Sequence, residues 1–206
     1  MSSMFCYQCE QTAKETACTS FGVCGKDPDT AAAQDALVHM CKDIAQYGHR
    51  ARQLGKSDRD IDVFLVKAFF TTLTNVNFDA ATVADFVWRG RELRDRAKEL
   101  YESACREAGK TPEIPSGPAQ WEPADDLAGL IRQQSDITIE NRVEEFGNDV
   151  AGLQELSVYG LKGSAAYVDH AQILGVEDDE VYAFFHETLD FLAENPTDVE
   201  ALTKTA

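Results

Sequence analysis

The stretch from Pro28 to Gly55 reads PDTAAAQDALVHMCKDIAQYGHRARQLG. Apolar or small residues recur in it every three or four positions, the period of one face of an α-helix. These residues are Leu37, Cys41, Ile44, Gly48 and Ala51. A glycine just after the last apolar position is a common helix stop. The stretch therefore predicts a long amphipathic helix that ends at Leu54-Gly55.

Two further helices are predicted after this one. Asp58 can cap the second helix, which ends before Asn75, while Asp79 begins the third and Gly109 closes it. The apolar positions are Phe64, Leu65, Ala68, Phe69 and Leu73 in the second helix, and Val83, Phe86, Val87, Gly90, Leu93, Ala97 and Leu100 in the third. Short connections between amphipathic helices predict an antiparallel three-helix bundle over residues 27–109.

The segment 110–123 holds four of the six prolines, so it is predicted to be a linker. Residues 124–206 then predict a second helical bundle. Its helices are expected from Asp125 to Gln133, from about Asn148 to Leu174, from Asp178 to Glu194, and from Asp198 to the end of the chain.

The two halves match at an offset of 120 residues. The first set is Ala45, Tyr47, Ala51, Leu54, Gly55, Asp58, Phe64 and Asn75, and the second is Ala165, Tyr167, Ala171, Leu174, Gly175, Asp178, Phe184 and Asn195. The alternative is chance similarity between two amphipathic hairpins, but the shared Leu-Gly stop and the aspartate after it favour duplication. The predicted fold class is therefore all-α, with two antiparallel three-helix bundles related by internal duplication.

An irregular Cys-rich loop, residues 1–26, precedes the bundles. Cys6, Cys9, Cys18 and Cys24 follow the spacing C-x2-C-x8-C-x5-C. Four thiolates can hold an iron-sulfur cluster or a zinc ion. Zinc sites usually have two close cysteine pairs, whereas this loop has one. The residues alone favour iron-sulfur and leave zinc open.

The remaining candidate ligands have no such spacing. Cys41 and Cys105 lie inside predicted helices and are expected to fill core positions. The histidines, His39, His49, His170 and His186, are scattered, so each is expected to lie at the surface or in a buried hydrogen bond. No nucleophile-base motif, phosphate-binding loop or dinucleotide fingerprint is present.

The composition excludes some partners. Acidic residues outnumber basic ones by 36 to 19, and the formal charge of −17 repels nucleic acid. The acidity favours a solvated surface, with docking of a basic electron donor as the alternative. No apolar run is long enough to span a bilayer and no signal segment is seen, so a cytoplasmic protein without a membrane partner is expected.

The residues Phe5 to Lys14, then Cys18 and Gly22 to Lys26, resemble the amino terminus of the hybrid-cluster proteins, the prismane or hydroxylamine reductase family. The segments Thr72–Asp79 and Gly160–Tyr167 resemble the helical domain of the same family. The likeness implies a 4Fe-4S cluster on Cys6, Cys9, Cys18 and Cys24, since members with longer spacers hold a 2Fe-2S cluster.

The resemblance further implies an electron-transfer domain. An electron-donor protein or reductase supplies electrons, which pass to a hybrid iron-sulfur-oxygen cluster in C-terminal domains that reduce hydroxylamine or nitric oxide. The ligands of that hybrid cluster have no matching positions here, so the catalytic domains are expected to be absent and this chain alone should not catalyse the reaction. The alternative is a stand-alone helical interaction module stabilised by zinc or iron-sulfur.

Overall fold

The computed structural model describes residues 4–9 and 12–206. The α-helices are α1 (Pro28–Gln53), α2 (Arg59–Thr71), α3 (Ala80–Glu107), α4 (Leu127–Ile137), α5 (Ile139–Phe146), α6 (Asn148–Ile173), α7 (Asp179–Ala193) and α8 (Val199–Thr205). Short 3-10 helices lie at Ala13–Glu15 and Gly117–Gln120, and the described residues form no β-strand. The predicted all-α fold class is confirmed. Over these same residues, no helix has the length and apolar character needed to cross a bilayer.

Aspartate side chains cap most of the helices. The Asp27 carboxylate accepts a hydrogen bond of 2.7 Å from the Thr30 N–H at the start of α1, and Pro28 takes the first helical position. Asp58 and Asp79, the predicted helix starts, cap α2 and α3. Carboxylates at these positions also interact favourably with the helix dipole. Part of the acidic excess therefore stabilises the fold.

The second half differs from its prediction at α4 and α5. Helix α4 continues to Ile137 instead of ending at Gln133, and α5 occupies residues for which no element was predicted. The Thr138 side chain caps α5 by accepting a hydrogen bond of 3.3 Å from the Glu140 N–H. Ile139, Val143 and Phe146 have helical spacing, but a helix of two turns is marginal by itself, and α5 depends on its packing against α6.

Helix α1 is the central element of the fold. It contacts α2, α3, α4 and α7, and Leu37, Met40, Cys41 and Ile44 are completely buried in one continuous apolar core. Cys105 of α3 belongs to the same core. The prediction that Cys41 and Cys105 fill core positions is confirmed.

A buried polar contact joins α1, α2 and α7. The Asp62 carboxylate accepts a hydrogen bond of 2.6 Å from Arg52 Nη2, and its other oxygen lies 2.8 Å from His186 Nε2. Buried polar groups are stable only where they find such partners. His186 is therefore a structural residue, as the sequence predicted.

The Pro-rich segment is fastened to the helices. The Gln46 side chain donates to the Ser116 carbonyl at 3.0 Å and accepts from the Ala119 N–H at 3.0 Å. Arg94 Nη2 donates to Glu122 at 2.9 Å. These bonds hold the segment as an ordered strap across α1 and α3. The division into bundles at residues 27–109 and 124–206 stays a prediction.

Several features of the structure recur at the offset of 120 residues. Helix α6 spans the positions equivalent to α1, and the turn glycines Gly55 and Gly175 have φ of 78° and 80°. Polar residues at equivalent positions of α1 and α6 are Gln34 and Gln154, Asp35 and Glu155, and Lys42 and Lys162. Two inter-helix contacts also occupy equivalent positions. Arg50 and Asp190 form an ion pair, and the residues 120 positions from each, His170 and Phe70, form a ring pair. These features favour the internal duplication, which stays a prediction.

Gly48 is expected to be essential for the packing of α1 against α7. A Cβ added there would lie 2.3 Å from Nδ1 of the buried His186 ring. Gly48→Ala should lower the free energy of unfolding by about 1–3 kcal/mol, because rigid core groups have to shift. Gly160→Ala is the control, since no atom lies within 4 Å of its added Cβ. That variant should gain about 0.5–1 kcal/mol from helix propensity. Urea denaturation measures both, and equal stabilities would contradict the close packing.

Candidate metal centre

The backbone of the Cys-rich loop places Cys6 opposite Cys18. The Cys6 N–H donates to the Cys18 carbonyl at 3.1 Å, and the Cys18 N–H donates to the Cys6 carbonyl at 2.8 Å. Directly opposed residues of such a pair project their side chains on the same side. Met4, Cys18 and Ala31 of α1 form a small apolar cluster that holds this pair against the first turn of α1.

A tight turn positions Cys24. The Gly22 N–H donates to the Lys26 carbonyl at 2.8 Å, and the Gly25 N–H donates to the Gly22 carbonyl at 2.9 Å. Gly25 has a φ of 98°, a conformation that L-residues rarely adopt. A Cβ added at Gly22 would lie 3.1 Å from Cys24 Sγ. The glycine therefore leaves the space that the Cys24 thiol occupies.

Thr12 holds the backbone of Cys9 in place. Residues 10 and 11, between the two, lie outside the described part of the loop. The Thr12 N–H and the Thr12 hydroxyl both donate to the Cys9 carbonyl, at 3.2 Å and 2.6 Å. This turn determines the direction in which the chain leaves Cys9.

All four predicted cysteines line one small cavity. The other residues around it are Met4, Gln8, Thr12, Gly22, Val23, Lys26 and Thr74. Cys41 and Cys105 lie elsewhere, in the core. Across residues 4–9 and 12–206, no three His, Cys, Asp or Glu side chains come close enough to share a single metal ion. The loop thus brings the four predicted cysteines together around one cavity. Their soft sulfur atoms are the metal-binding groups of that cavity.

Positive charge lies beside these thiols. Lys26 lines the cavity and is only 4% exposed. Burial raises the pKa of the Cys6 thiol, while the charge of Lys26 and the backbone N–H of Gln8 lower it. A thiolate-bound metal group would be negatively charged and would balance the buried ammonium. The donor set and its surroundings therefore fit an anionic thiolate-bound group.

A polar cavity of about 190 Å³ adjoins the cysteine cavity, and Gln8 lines both. Charged and titratable side chains from α1, α4, α5 and α6 line it: Asp35, His39, Lys42, Asp136, Arg142, Glu145, Glu155 and Lys162. Arg142 Nη2 donates to Glu155 at 2.6 Å. The loop is thus backed by charges of both signs.

Met4, Gln8, Lys26 and Lys162 had no role predicted from the sequence. One signal was available for Lys162, because this lysine stands among the buried positions Val158, Leu161 and Ala165 of α6. A lysine on an apolar stripe is costly to bury without a partner. Its partner, however, could not be read from the pattern.

Comparison with known proteins places the chain in a family. The Prismane/CO dehydrogenase family matches residues 4–206. The chain belongs to this family. Relatives named hydroxylamine reductase from Acidithiobacillus ferrooxidans, Burkholderia lata and Rhodospirillum rubrum are 52%, 48% and 47% identical to it, each over 97% of this chain. The matches cover 36%, 37% and 36% of those proteins, so this prismane-family chain spans about a third of their length.

His39 gives this prismane-family chain a specific pH dependence. Burial, helped by the positive charges of Lys42 and Arg142, lowers the pKa of His39 to about 3. A histidine in the unfolded chain has a pKa of about 6.5, so below that pH the unfolded state binds a proton that the folded state does not. The free energy of unfolding therefore falls as the pH decreases from about 6.5 towards 3, by up to about 1.4 kcal/mol per pH unit.

His39→Leu should remove this contribution. Between about pH 6 and pH 4, the free energy of unfolding should fall by about 2–2.5 kcal/mol less in the variant than in the wild type. Urea denaturation of the metal-free protein at each pH measures the difference. Above about pH 7 the imidazole is neutral in both states, and there the difference between the two proteins should be constant. Parallel stability profiles down to pH 4 would count against a partly buried, neutral His39.

Proposed function

We propose that this chain is the electron-transfer domain of a hydroxylamine reductase of the prismane family, and that Cys6, Cys9, Cys18 and Cys24 hold an iron-sulfur cluster. The observation that carries the proposal is the shared cavity of the four thiols, which come from one loop and from no other part of the described chain. Four cysteine thiolates are the usual ligands of such clusters.

The surroundings of the thiols support a redox group. The Gln8 backbone N–H lowers the pKa of the Cys6 thiol, and Lys26 adds positive charge. Hydrogen bonds to sulfur and nearby charge are the means by which proteins adjust the potentials of iron-sulfur clusters. When bound, the cluster supplies reversible one-electron transfer, and the residues of this chain hold it and set its potential. The compact cysteine spacing favours the 4Fe-4S form that the family resemblance implies.

The position of the loop suits exchange of electrons with another protein. Val23 lines the cysteine cavity and is 59% exposed, and the nearby Phe21 is 55% exposed. The proposed site therefore lies next to the surface. The formal charge of −17 suits a donor protein with a basic docking surface.

The proposed reaction belongs to the whole protein. Reduction of hydroxylamine consumes two electrons and two protons and yields ammonia and water. We propose that the remainder, about two thirds of the relatives' length, holds the catalytic hybrid cluster, and that this domain passes electrons to it one at a time. Nitric oxide is an alternative substrate for that cluster.

Metal and sulfide analysis of anaerobically purified protein is the first test. We expect about four iron atoms and four acid-labile sulfides per chain, with a visible absorption band that dithionite bleaches. One zinc ion without sulfide would refute the electron-transfer proposal and leave a zinc-stabilised interaction module.

The cysteine assignment has its own test. Cys9→Ser should abolish normal cluster assembly while the helix content, measured by circular dichroism, stays near that of the wild type, because the helices have their own core. Cys41→Ala is the matched control, since Cys41 is buried in that core and should not affect the iron content. Normal iron and sulfide in Cys9→Ser would contradict the assignment, and global unfolding would contradict the independence of the helices from the loop.

A further inference from the structure

A buried lysine from the second half of the chain contacts the cysteine loop. Lys162 of α6 is 1% exposed, and its Nζ donates a hydrogen bond of 3.1 Å to Gln8 Oε1. Gln8 stands between Cys6 and Cys9 in the sequence and lines the cysteine cavity. The ammonium is thus held directly behind the segment that carries two of the four thiols.

The charge of this ammonium needs compensation. Glu155, one of the carboxylates near Lys162, is itself paired with Arg142. Burial lowers the pKa of Lys162 to about 8, so the side chain is still largely protonated at neutral pH. The Cys6 sulfur is near enough to Lys162 for the charge of the ammonium to act on it. The lysine therefore interacts electrostatically with the loop as well as through its hydrogen bond to Gln8.

We propose that Lys162 is a positioning residue for electron transfer, whose fixed charge raises the reduction potential of the cluster on the neighbouring loop. This inference rests on the proposed function. Uptake of one electron adds one negative charge to the site, breaks or forms no bond and moves no proton. A nearby positive charge in a medium of low dielectric constant stabilises the reduced form more than the oxidised form.

Lys42 provides a matched control. It occupies the position of α1 equivalent to Lys162 at the offset of 120 residues, is also buried, and faces the same polar cavity. It does not line the cysteine cavity, and it makes no hydrogen bond to the described residues of the loop. Burial lowers the pKa of Lys42 to about 7, below that of Lys162, so the two lysines are compared at about pH 6, where both are protonated. There Lys42→Met removes a charge from the polar cavity without removing a contact to the loop.

The experiment is a potentiometric titration of the anaerobic protein, followed by its visible absorption, with dithionite as the electron source. In Lys162→Met, the equilibrium constant for reduction should fall about tenfold, or ~59 mV for one electron. Lys162→Gln keeps a hydrogen-bond donor for Gln8 but not the charge, and should show a similar fall. Lys162→Arg should stay near the wild type, and Lys42→Met should change the constant by less than about threefold.

The outcomes separate charge from structure. Unchanged potentials in Lys162→Met and Lys162→Gln, or equal shifts in Lys162→Met and Lys42→Met, overturn the inference. If Lys162→Met and Lys162→Gln do not retain iron but Lys162→Arg does, the charge of Lys162 is needed to hold the anionic group. That outcome supports the inference. Loss of iron in Lys162→Arg as well would mean that the site needs the shape of the lysine side chain and not its charge, and this overturns the inference. A wild-type protein without iron and sulfide is a failure of the proposed function itself, which the metal analysis detects before any titration.

Discussion

Contact between α1 and several other helices at once is the constraint on which this structure depends. Because α1 is buried on most of its surface, its polar side chains cannot reach water and must find partners inside the protein. Gln34 donates to the Asn77 carbonyl at 3.0 Å, and Gln46 bonds the backbone of the Pro-rich strap. The polar residues of α1 thus fasten the connections around it, and the glycine at position 48 allows α7 to approach.

The cysteine loop depends on the same helix. Its Cys6–Cys18 backbone pair rests on the apolar cluster with Ala31, and the Cys24 turn runs directly into the Asp27 cap of α1. The loop is therefore anchored on both sides of its cysteines by contacts with the start of a buried helix. Its electrostatics differ from those of the whole chain. A protein with a formal charge of −17 places Lys26 beside the thiols and Lys162 behind them, where an anionic metal group would need them.

Much of the helical architecture could be predicted from the sequence because the determinants are local. The apolar period, the aspartate caps and the stop at Gly55 are each contained within a few residues. The convergence of the four cysteines was also predictable from their spacing, since a loop of this length can fold around one site. Helix α5 was missed although Ile139, Val143 and Phe146 have helical spacing, because a helix of eight residues is marginal without its packing against α6. The strap was predicted as a linker because its order comes from Gln46 and Arg94, which lie far from it in sequence.

The contact between Lys162 and Gln8 shows why the remaining part of the site could not be predicted. The two residues are 154 positions apart, and nothing local to either indicates the other. The offset of 120 residues makes Lys42 and Lys162 equivalent, as it does Asp35 and Glu155, and all four face one cavity. The cysteine loop, however, occurs once. Only one of the two lysines can therefore contact the loop. The buried charges occupy nearly symmetric positions, but only Lys162 contacts the cysteine loop.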